Sequence, residues 1–306
     1  MNYRTITDQL DFPEGPIAMP DGSFVVVEIR RRTLSRVSAT GEVSIIAELG
    51  GGPNGAAIGP DGYCYVCNNG GFEWATGDGG TRPIGQAVDY TGGRIDRVDL
   101  NTGEWDTLYS HGGDVRLKGP NDIVFDKEGG FWFTDLGKRR DEDMDIGGVF
   151  YATIDGTHCE RVIHPLITPN GIGLSPTEDE VYVAETATGR VWSFEVTAPG
   201  RIAKQDFPSP NGGSLLAGVP GFQNFDSLAV DIEGNVCVAT LMNGGITVIS
   251  PDGRQVEHIP APDIYTTNIC FGGEGLKTAY LTLSGTGKLV STDWPTAGLP
   301  LNFLNK

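Results

Sequence analysis

Apolar residues along this chain fall into short runs, alternating or continuous, each bounded by Gly, Pro, Asp or Asn. That period and those boundaries predict β-strands joined by tight turns rather than helices. One phrase recurs six times: a polar residue, a few apolar-biased residues, a turn, then a β-rich run. The copies read EGPIAMPDGSFVVVE (14–28), NGAAIGPDGYCYVCN (54–68), NDIVFDKEGGFWFTD (121–135), NGIGLSPTEDEVYVAE (170–185), DSLAVDIEGNVCVAT (226–240) and NICFGGEGLKTAYLT (268–282). Their starts lie 40, 67, 49, 56 and 42 residues apart. Each reads as a hairpin, most with a D-G or E-G pair that tolerates positive φ at the turn. A second hairpin follows, as at 33–49, 93–110, 148–163 and 245–260, with 189–196 continuing the series. Two hairpins make a four-stranded antiparallel sheet. Six such sheets in series predict an all-β fold, a six-bladed β-propeller around a central channel, with residues 1–306 as one domain. A two-sheet sandwich does not account for six similar units. The run YRTITDQ (3–9) has no blade of its own, and is expected to supply the outer strand of the last blade and close the ring.

Aligning the copies places Glu14, Asn54, Asn121, Asn170, Asp226 and Asn268 at one point of the innermost strands. In a propeller these strands line the channel, so equivalent positions form a ring at one depth. The ring holds carboxylates and amides and no lysine or arginine. Oxygen donors of this kind suit a hard divalent cation such as Ca²⁺ or Mg²⁺. Two acids in a narrow channel repel each other and are costly to bury, and a bound dication removes both penalties. A second alignment, Glu28, Asn68, Asp135, Glu185 and Thr240, lies at the far end of the next strand. It reads either as support for the ring or as strand-end groups satisfying loops. Connections after the second strand are short in blades four to six and long in blades two and three, Asn69–Gly92 and Leu136–Gly147. Long loops on one face usually cover a ligand site. Phe72 and Trp74 in these loops are candidate substrate contacts, whereas Lys138, Arg139 and Arg140 are expected to be solvated.

Charge and composition narrow the function. The 40 acids against 22 bases give a net charge of −18. Such a field repels phosphate backbones, so nucleic acid is not expected as a partner. No apolar run approaches the roughly 20 residues of a membrane span. Met1–Leu10 lacks the basic start and apolar stretch of a secretory signal, and a cytoplasmic enzyme is expected. The five cysteines are irregularly spaced. Cys64 and Cys67 look like a C-x-x-C motif, but residues three apart on a strand face opposite ways, so they are expected in the core. The four histidines, at 111, 158, 164 and 258, show no zinc-site spacing. No G-x-S-x-G occurs, which disfavours a serine hydrolase.

The motifs FPEGP (12–16), GPNDIVFD (119–126), TPNGIGLS (168–175), FDSLAVDIEGNV (225–236) and TNICFGG (267–273) occur in this order at blade spacing. With them the chain, from Phe12 to about Leu289, resembles the gluconolactonase, regucalcin (senescence marker protein) and lactonase family of six-bladed propellers. The resemblance implies one divalent metal bound by Glu14, Asn121, Asn170 and Asp226, and hydrolysis of small lactones, often aldonolactones. It gives Asp226 a double part, as ligand and as general base or positioner of water. Regucalcin-like members carry an arginine two residues before the blade-three Asn. Here that residue is Gly119, so sugar recognition by that route is not expected, and a different natural lactone is.

The expected reaction is therefore lactone opening, with the metal as Lewis acid and the water activated by Asp226 or by the metal. Asn54, Asn121, Asn268 and Trp74 are the expected substrate contacts. All-oxygen ligands leave Ca²⁺, Mg²⁺, Mn²⁺ and Zn²⁺ open. Two rival readings share the pattern: a phosphotriesterase of the diisopropyl fluorophosphatase type, and a non-catalytic, metal-dependent binding propeller.

Overall fold

A computed structural model describes residues 1–77 and 80–306. The chain forms six antiparallel sheets arranged as the blades of a propeller. From the axis outward, blade one is Pro13–Ala18, Phe24–Glu28, Thr33–Val37 and Val43–Glu48. Blade two is Pro53–Ile58, Cys64–Asn68, Arg94–Val98 and Trp105–Tyr109, and blade three is Pro120–Phe125, Gly130–Asp135, Gly147–Thr153 and Cys159–Leu166. Blade five is Asn224–Val230, Val236–Leu241, Gly245–Ile249 and Val256–Pro260. Blade four begins with Pro169–Leu174, Glu180–Glu185 and Arg190–Ala198, and two short strands, Arg201–Ala203 and Ser214–Gly218, share its outer edge.

Blade six is Thr266–Gly272, Thr278–Leu283, Lys288–Asp293 and, as its outer strand, Arg4–Thr7 from the start of the chain. The pairs Arg4–Ser291, Thr5–Val290 and Thr7–Leu289 make the closure expected from the unassigned first strand. Each inner strand touches those of both neighbours, blade six against blade one included. Among the described residues no helix is long and apolar enough to cross a membrane.

The core explains why the second strands are apolar on both faces. It divides into six clusters, one at each blade–blade interface. In blade two, Cys64 and Val66 pack toward Val25 and Val27 of blade one, while Tyr65 and Cys67 pack toward Phe131 and Phe133 of blade three. Alternate residues of one strand thus feed opposite interfaces. The same alternation separates Trp132 from Phe131 and Phe133, and Cys237 from Val236 and Val238. Cys64 and Cys67 are both core residues on opposite faces, as their spacing predicted. Each fully buried Phe or Val contributes about 1.5–3 kcal/mol by leaving water.

One irregularity repeats in all six blades. The register between the first and second strands slips near the ring position, for example between Pro53 and Ala56, between Pro120 and Ile123, and between Pro169 and Ile172. Blades one and five slip at the corresponding place, and in blade six the slip falls between Thr266 and Asn268. Such a bulge inserts an extra residue into one strand and re-aims its side chain. Proline opens the inner strand in blades one to four, where its missing N–H is tolerated at a strand start.

Candidate active site

Glu14, Asn54, Asn121, Asn170, Asp226 and Asn268 are all buried, none more than 9% exposed. Close approach of the bulged strands brings them together. A Cβ on Gly15 would stand 2.7 Å from the Asn54 carbonyl oxygen, and one on Gly171 would stand 2.7 Å from that of Asp226. Glycine at these two positions therefore sets the spacing of the inner ring.

The ring is electrostatically uneven. Glu14 Oε2 accepts from Asn268 Nδ2 at 2.8 Å and from the Gly15 N–H at 3.0 Å. Burial nonetheless raises the Glu14 carboxyl to about 7. Burial also lifts Asp226 well above the ordinary carboxylate range, and the nearby Glu14 charge lifts it further. A third acid, Asp122, belongs to the same patch. Burial raises it to about 7, and Glu14 again adds to the shift. Its oxygens accept from the Ile123 N–H at 3.0 Å and from the Ile172 N–H of blade four at 3.3 Å. Sequence alignment of the six copies passed over Asp122 because it stands one residue beyond the ring, where blades one, two and four carry glycine. That break in the glycine pattern was the available signal.

Three buried acids, with the Glu14 charge raising both Asp226 and Asp122, leave a site short of positive charge. The amides point the same way. Asn170 Nδ2 donates to Thr186 Oγ1 at 3.0 Å, and its Oδ1 accepts from Ser227 Oγ at 3.5 Å. Asn121 Oδ1 is buried with no hydrogen-bond partner. An orphaned acceptor beside mutually repelling acids is uncommon in folded proteins, and this donor set fits a hard dication. Among the described residues no three His, Cys, Asp or Glu side chains converge to hold an ion by themselves. A cation here would therefore depend on the amides as well. Asn54 makes no side-chain hydrogen bond among the described residues, whereas both polar atoms of Asn268 are engaged, its Oδ1 by the Ile269 N–H at 2.7 Å.

Residues of the second alignment hold the segments that lead into the ring. Glu28 accepts from the Asp11 N–H at 2.7 Å, and Glu185 from the Ile167 N–H at 2.6 Å. Asp135 accepts from the N–H groups of Lys118 and Gly119, both at 2.7 Å. Asn68 does the same for Gly52 at 2.8 Å. In blades one and four the held segment is strained. Phe12 has φ +56° and Thr168 has φ +49°, each directly before the proline that opens its inner strand. Strain held in place beside a polar centre is a feature of functional sites. Of the two readings of this alignment, the loop-fixing one describes the bonds, and through the backbone it also fixes the ring.

Asn69–Gly92 is not an open loop. It carries a hairpin, Phe72–Gly77 paired with Gly80–Gln86. The hairpin leaves blade two and meets blade six, where Gly80 abuts Gly285. Trp74 lies on its way, with its ring 4.8 Å from Phe12 and 6.0 Å from Phe72. Lys138 corrects an expectation: it is 2% exposed rather than solvated. Its Nζ donates to Gly71 O at 2.9 Å and Asn69 Oδ1 at 3.2 Å, and lies 4.3 Å from the Phe72 ring centroid and 5.2 Å from that of Tyr90. Burial lowers its amine to about 7, with Asp135 and Asp145 opposing. Arg139 and Arg140 are exposed as expected, and Arg140 pairs with Asp143 and Asp145. At Gly119, a Cβ would collide with the Gly137 carbonyl oxygen, so the blade-three loop occupies the space a longer side chain would need.

Known proteins resemble this chain in sequence and fold. The sequence pattern described as SMP-30/Gluconolactonase/LRE-like region matches residues 12–285. A gluconolactonase of Zymomonas mobilis is 27% identical over 92% of this chain and 78% of its own length. The lactonase drp35 of Staphylococcus epidermidis is 26% identical over 79% of this chain and 67% of its own. Among solved structures, a gluconolactonase from Xanthomonas campestris superposes with a TM-score of 0.74 at 23% identity, covering 96% of this chain and 89% of that one. A calcium-binding regucalcin from Agrobacterium tumefaciens superposes with a TM-score of 0.75 at 16% identity, covering 99% and 96%. These two likenesses carry the fold. With the sequence match spanning all six inner strands, the chain belongs to the SMP-30/gluconolactonase/LRE-like family.

Proposed function

We propose that this propeller is a metal-dependent lactonase, holding one divalent cation through Glu14, Asn121, Asn170 and Asp226 and opening a small lactone to its hydroxy acid. The observation that carries the reading is a pair of features in the channel: buried Asp226 and Asp122 raised further by the Glu14 charge, and the orphaned Asn121 Oδ1 beside them. Family membership and relatives named as gluconolactonase and lactonase support the reaction class. When bound, the cation supplies polarisation of the lactone carbonyl and charge for the developing oxyanion.

The protein's own residues do the rest. Water forms a bond to the carbonyl carbon, the ring C–O bond breaks, and the ring oxygen leaves with a proton. In this reading two acids move that proton, Asp226 and Asp122. Asp226 is a ligand in this reading and is a weak base while it binds a cation. Asp122 is not a ligand in this reading; burial raises its carboxyl in the metal-free protein, and a nearby cation would bring it down toward a carboxylate able to accept a proton. Asn268 fixes Glu14 through their hydrogen bond. In this reading Asn54, which makes no side-chain hydrogen bond among the described residues, donates to the substrate.

The test is to strip the protein of metal, return Ca²⁺, Mg²⁺, Mn²⁺ or Zn²⁺ singly, and follow acid release from a panel of lactones with a pH indicator. Turnover restored by one or more ions supports the reading. Silence on every lactone with turnover of a phosphotriester would replace it with the phosphotriesterase reading. Silence on both with tight cation binding would replace it with a binding propeller.

A further inference from the structure

We infer that Lys138 is a positioning residue: it reaches from the blade-three loop into blade two and holds the segment that carries Asn54. The inference rests on the lactonase reading, in which Asn54 meets the substrate. Asn54 is buried and makes no side-chain hydrogen bond among the described residues. Nor does the strand ladder hold it, because the register between the first two strands of blade two slips between Pro53 and Ala56. The place of Asn54 is therefore set largely by the residues just before it, Gly52 and Pro53.

Those residues are clamped by the ones that Lys138 grips. Lys138 Nζ donates to Gly71 O at 2.9 Å and to Asn69 Oδ1 at 3.2 Å. Asn69 Oδ1 also accepts from the Gly71 N–H at 2.7 Å, and the Asn69 N–H donates to Gly52 O at 2.8 Å. The approach is close: a Cβ on Gly52 would stand 2.5 Å from Asn69 Oδ1 and 2.7 Å from Gly71 N. A second tie runs the other way between the same two blades. Tyr90 Oη, from the connection after the second strand of blade two, donates at 2.7 Å to Lys118 O in the lead-in to blade three.

A lysine is a costly choice for such a brace. Its ammonium gives up hydration, and two oxygen acceptors with the ring faces of Phe72 and Tyr90 offset only part of that cost. Burial accordingly lowers the amine to about 7. An apolar side chain of the same length would fill the space without the penalty. The costly cation stands two hydrogen bonds from Gly52, through Asn69, which points to placement of the ring rather than to stability.

The test is Lys138→Met in the metal-loaded protein, assayed on D-glucono-δ-lactone and δ-valerolactone. KM should rise about tenfold while kcat stays within about twofold, as for the loss of one substrate hydrogen bond. Tm should hold or rise, because an apolar side chain replaces a buried charge. Ca²⁺ affinity in calorimetry should be unchanged, because Asp135 still holds the Lys118 and Gly119 N–H groups that lead to Asn121. Asn69→Ala breaks the same tie from blade two and should raise KM in the same way. In a double-mutant cycle, Lys138→Met should add nothing to Asn54→Ala. An unchanged KM, effects that add in the cycle, or a joint loss of Tm and Ca²⁺ affinity overturns the inference. Calorimetric binding of δ-valerolactam, an unreactive ring amide, separates it from the lactonase reading. If Lys138→Met weakens lactam binding about tenfold and no lactone is turned over, the brace stands and the lactonase reading falls. If lactones are turned over and neither KM nor lactam affinity responds to Lys138, the brace falls and the lactonase reading stands. Neither turnover nor lactam binding in the unaltered protein removes both.

Discussion

The two ends of the channel are built from the same six strands and differ in almost every physical respect. At the upper end the strands are bulged, the lead-ins at Phe12 and Thr168 are strained, and the walls are acids and amides. At the lower end the same strands pair regularly and present Ile123, Ile172, Leu228 and Ile269 around a cavity of roughly 110 Å³. The last residues of the chain lie across that end. The Leu299 N–H bonds Val230 O at 3.0 Å, Asn302 Nδ2 bonds Glu178 Oε1 at 2.7 Å and Phe125 O at 3.1 Å, and Phe303 meets the Phe125 ring edge-on. One end is thus mainly apolar, although Asp122 and Asn268 also border its cavity, and the other is lined by acids and amides. The contrast teaches that a propeller keeps its function where its regular geometry is broken, and its stability where that geometry runs undisturbed.

The sharpest way to break this contrast is Asp226→Asn. Lactone turnover should fall by about 10²–10⁴-fold, with cation affinity lost in calorimetry and the circular dichroism of the fold retained. Full activity together with full metal binding would remove Asp226 from the chemistry.

Acid–base linkage gives the next largest effect. Without a cation, Glu14 titrates near 7 in the folded chain rather than at its ordinary 4.5, and Asp122 is raised to about 7 as well. Raised carboxyls contribute stability that is complete below their unfolded values and is lost as pH rises through about 7. The metal-free protein should therefore lose Tm between pH 5 and about 8, and the Tm gained on adding the cation should grow over the same window. A gain equal at both pH values would show that the acids are not in contact with the ion.

Glu28 tests whether the strained lead-ins are held as described. Glu28→Ala removes the acceptor for the Asp11 N–H, for Ser35 Oγ at 2.5 Å and for Arg31 Nη1 at 2.8 Å. Stability should fall by about 2–3 kcal/mol, with a parallel loss of cation affinity as Phe12 and Glu14 relax. Stability loss with unchanged affinity would separate the lead-in from the ring.

The smallest effect belongs to the lower end. Asn302→Ala should cost about 1 kcal/mol in chemical denaturation and leave kcat/KM for lactone unaltered, because its bonds reach only Phe125 and Glu178. A loss of activity there would mean that the two ends communicate.

Much of this was legible in the sequence. Six copies of one phrase fixed the blade count, because only radial stacking uses so many strands that are apolar on both faces. The leftover strand at residues 4–7 had nowhere to pair but the open edge of blade six. Alignment of the copies also picked out six polar positions that the fold buries on the inner strands. Asp122 escaped because a repeat alignment rewards agreement, and Asp122 matters by departing from the glycine of its neighbours. Lys138 was misjudged because a charged residue in a loop is normally hydrated. Only the fold shows two rings and two oxygen acceptors closing around it. The hairpin within Asn69–Gly92 was hidden because its strands lack the apolar density of the blades.

Periodicity is local information, so the sequence by itself determined the strands, their faces, the blade order and the identity of the inward residues. Distances between residues remote along the chain are not local. The tertiary structure alone decided that the Glu14 charge raises Asp122 and Asp226, that Asn268 is committed to Glu14, and that the Trp74 ring lies 4.8 Å from that of Phe12. Each of those depends on which strands ring closure and a one-residue bulge bring within a few ångströms, and no pattern along the chain encodes that spacing.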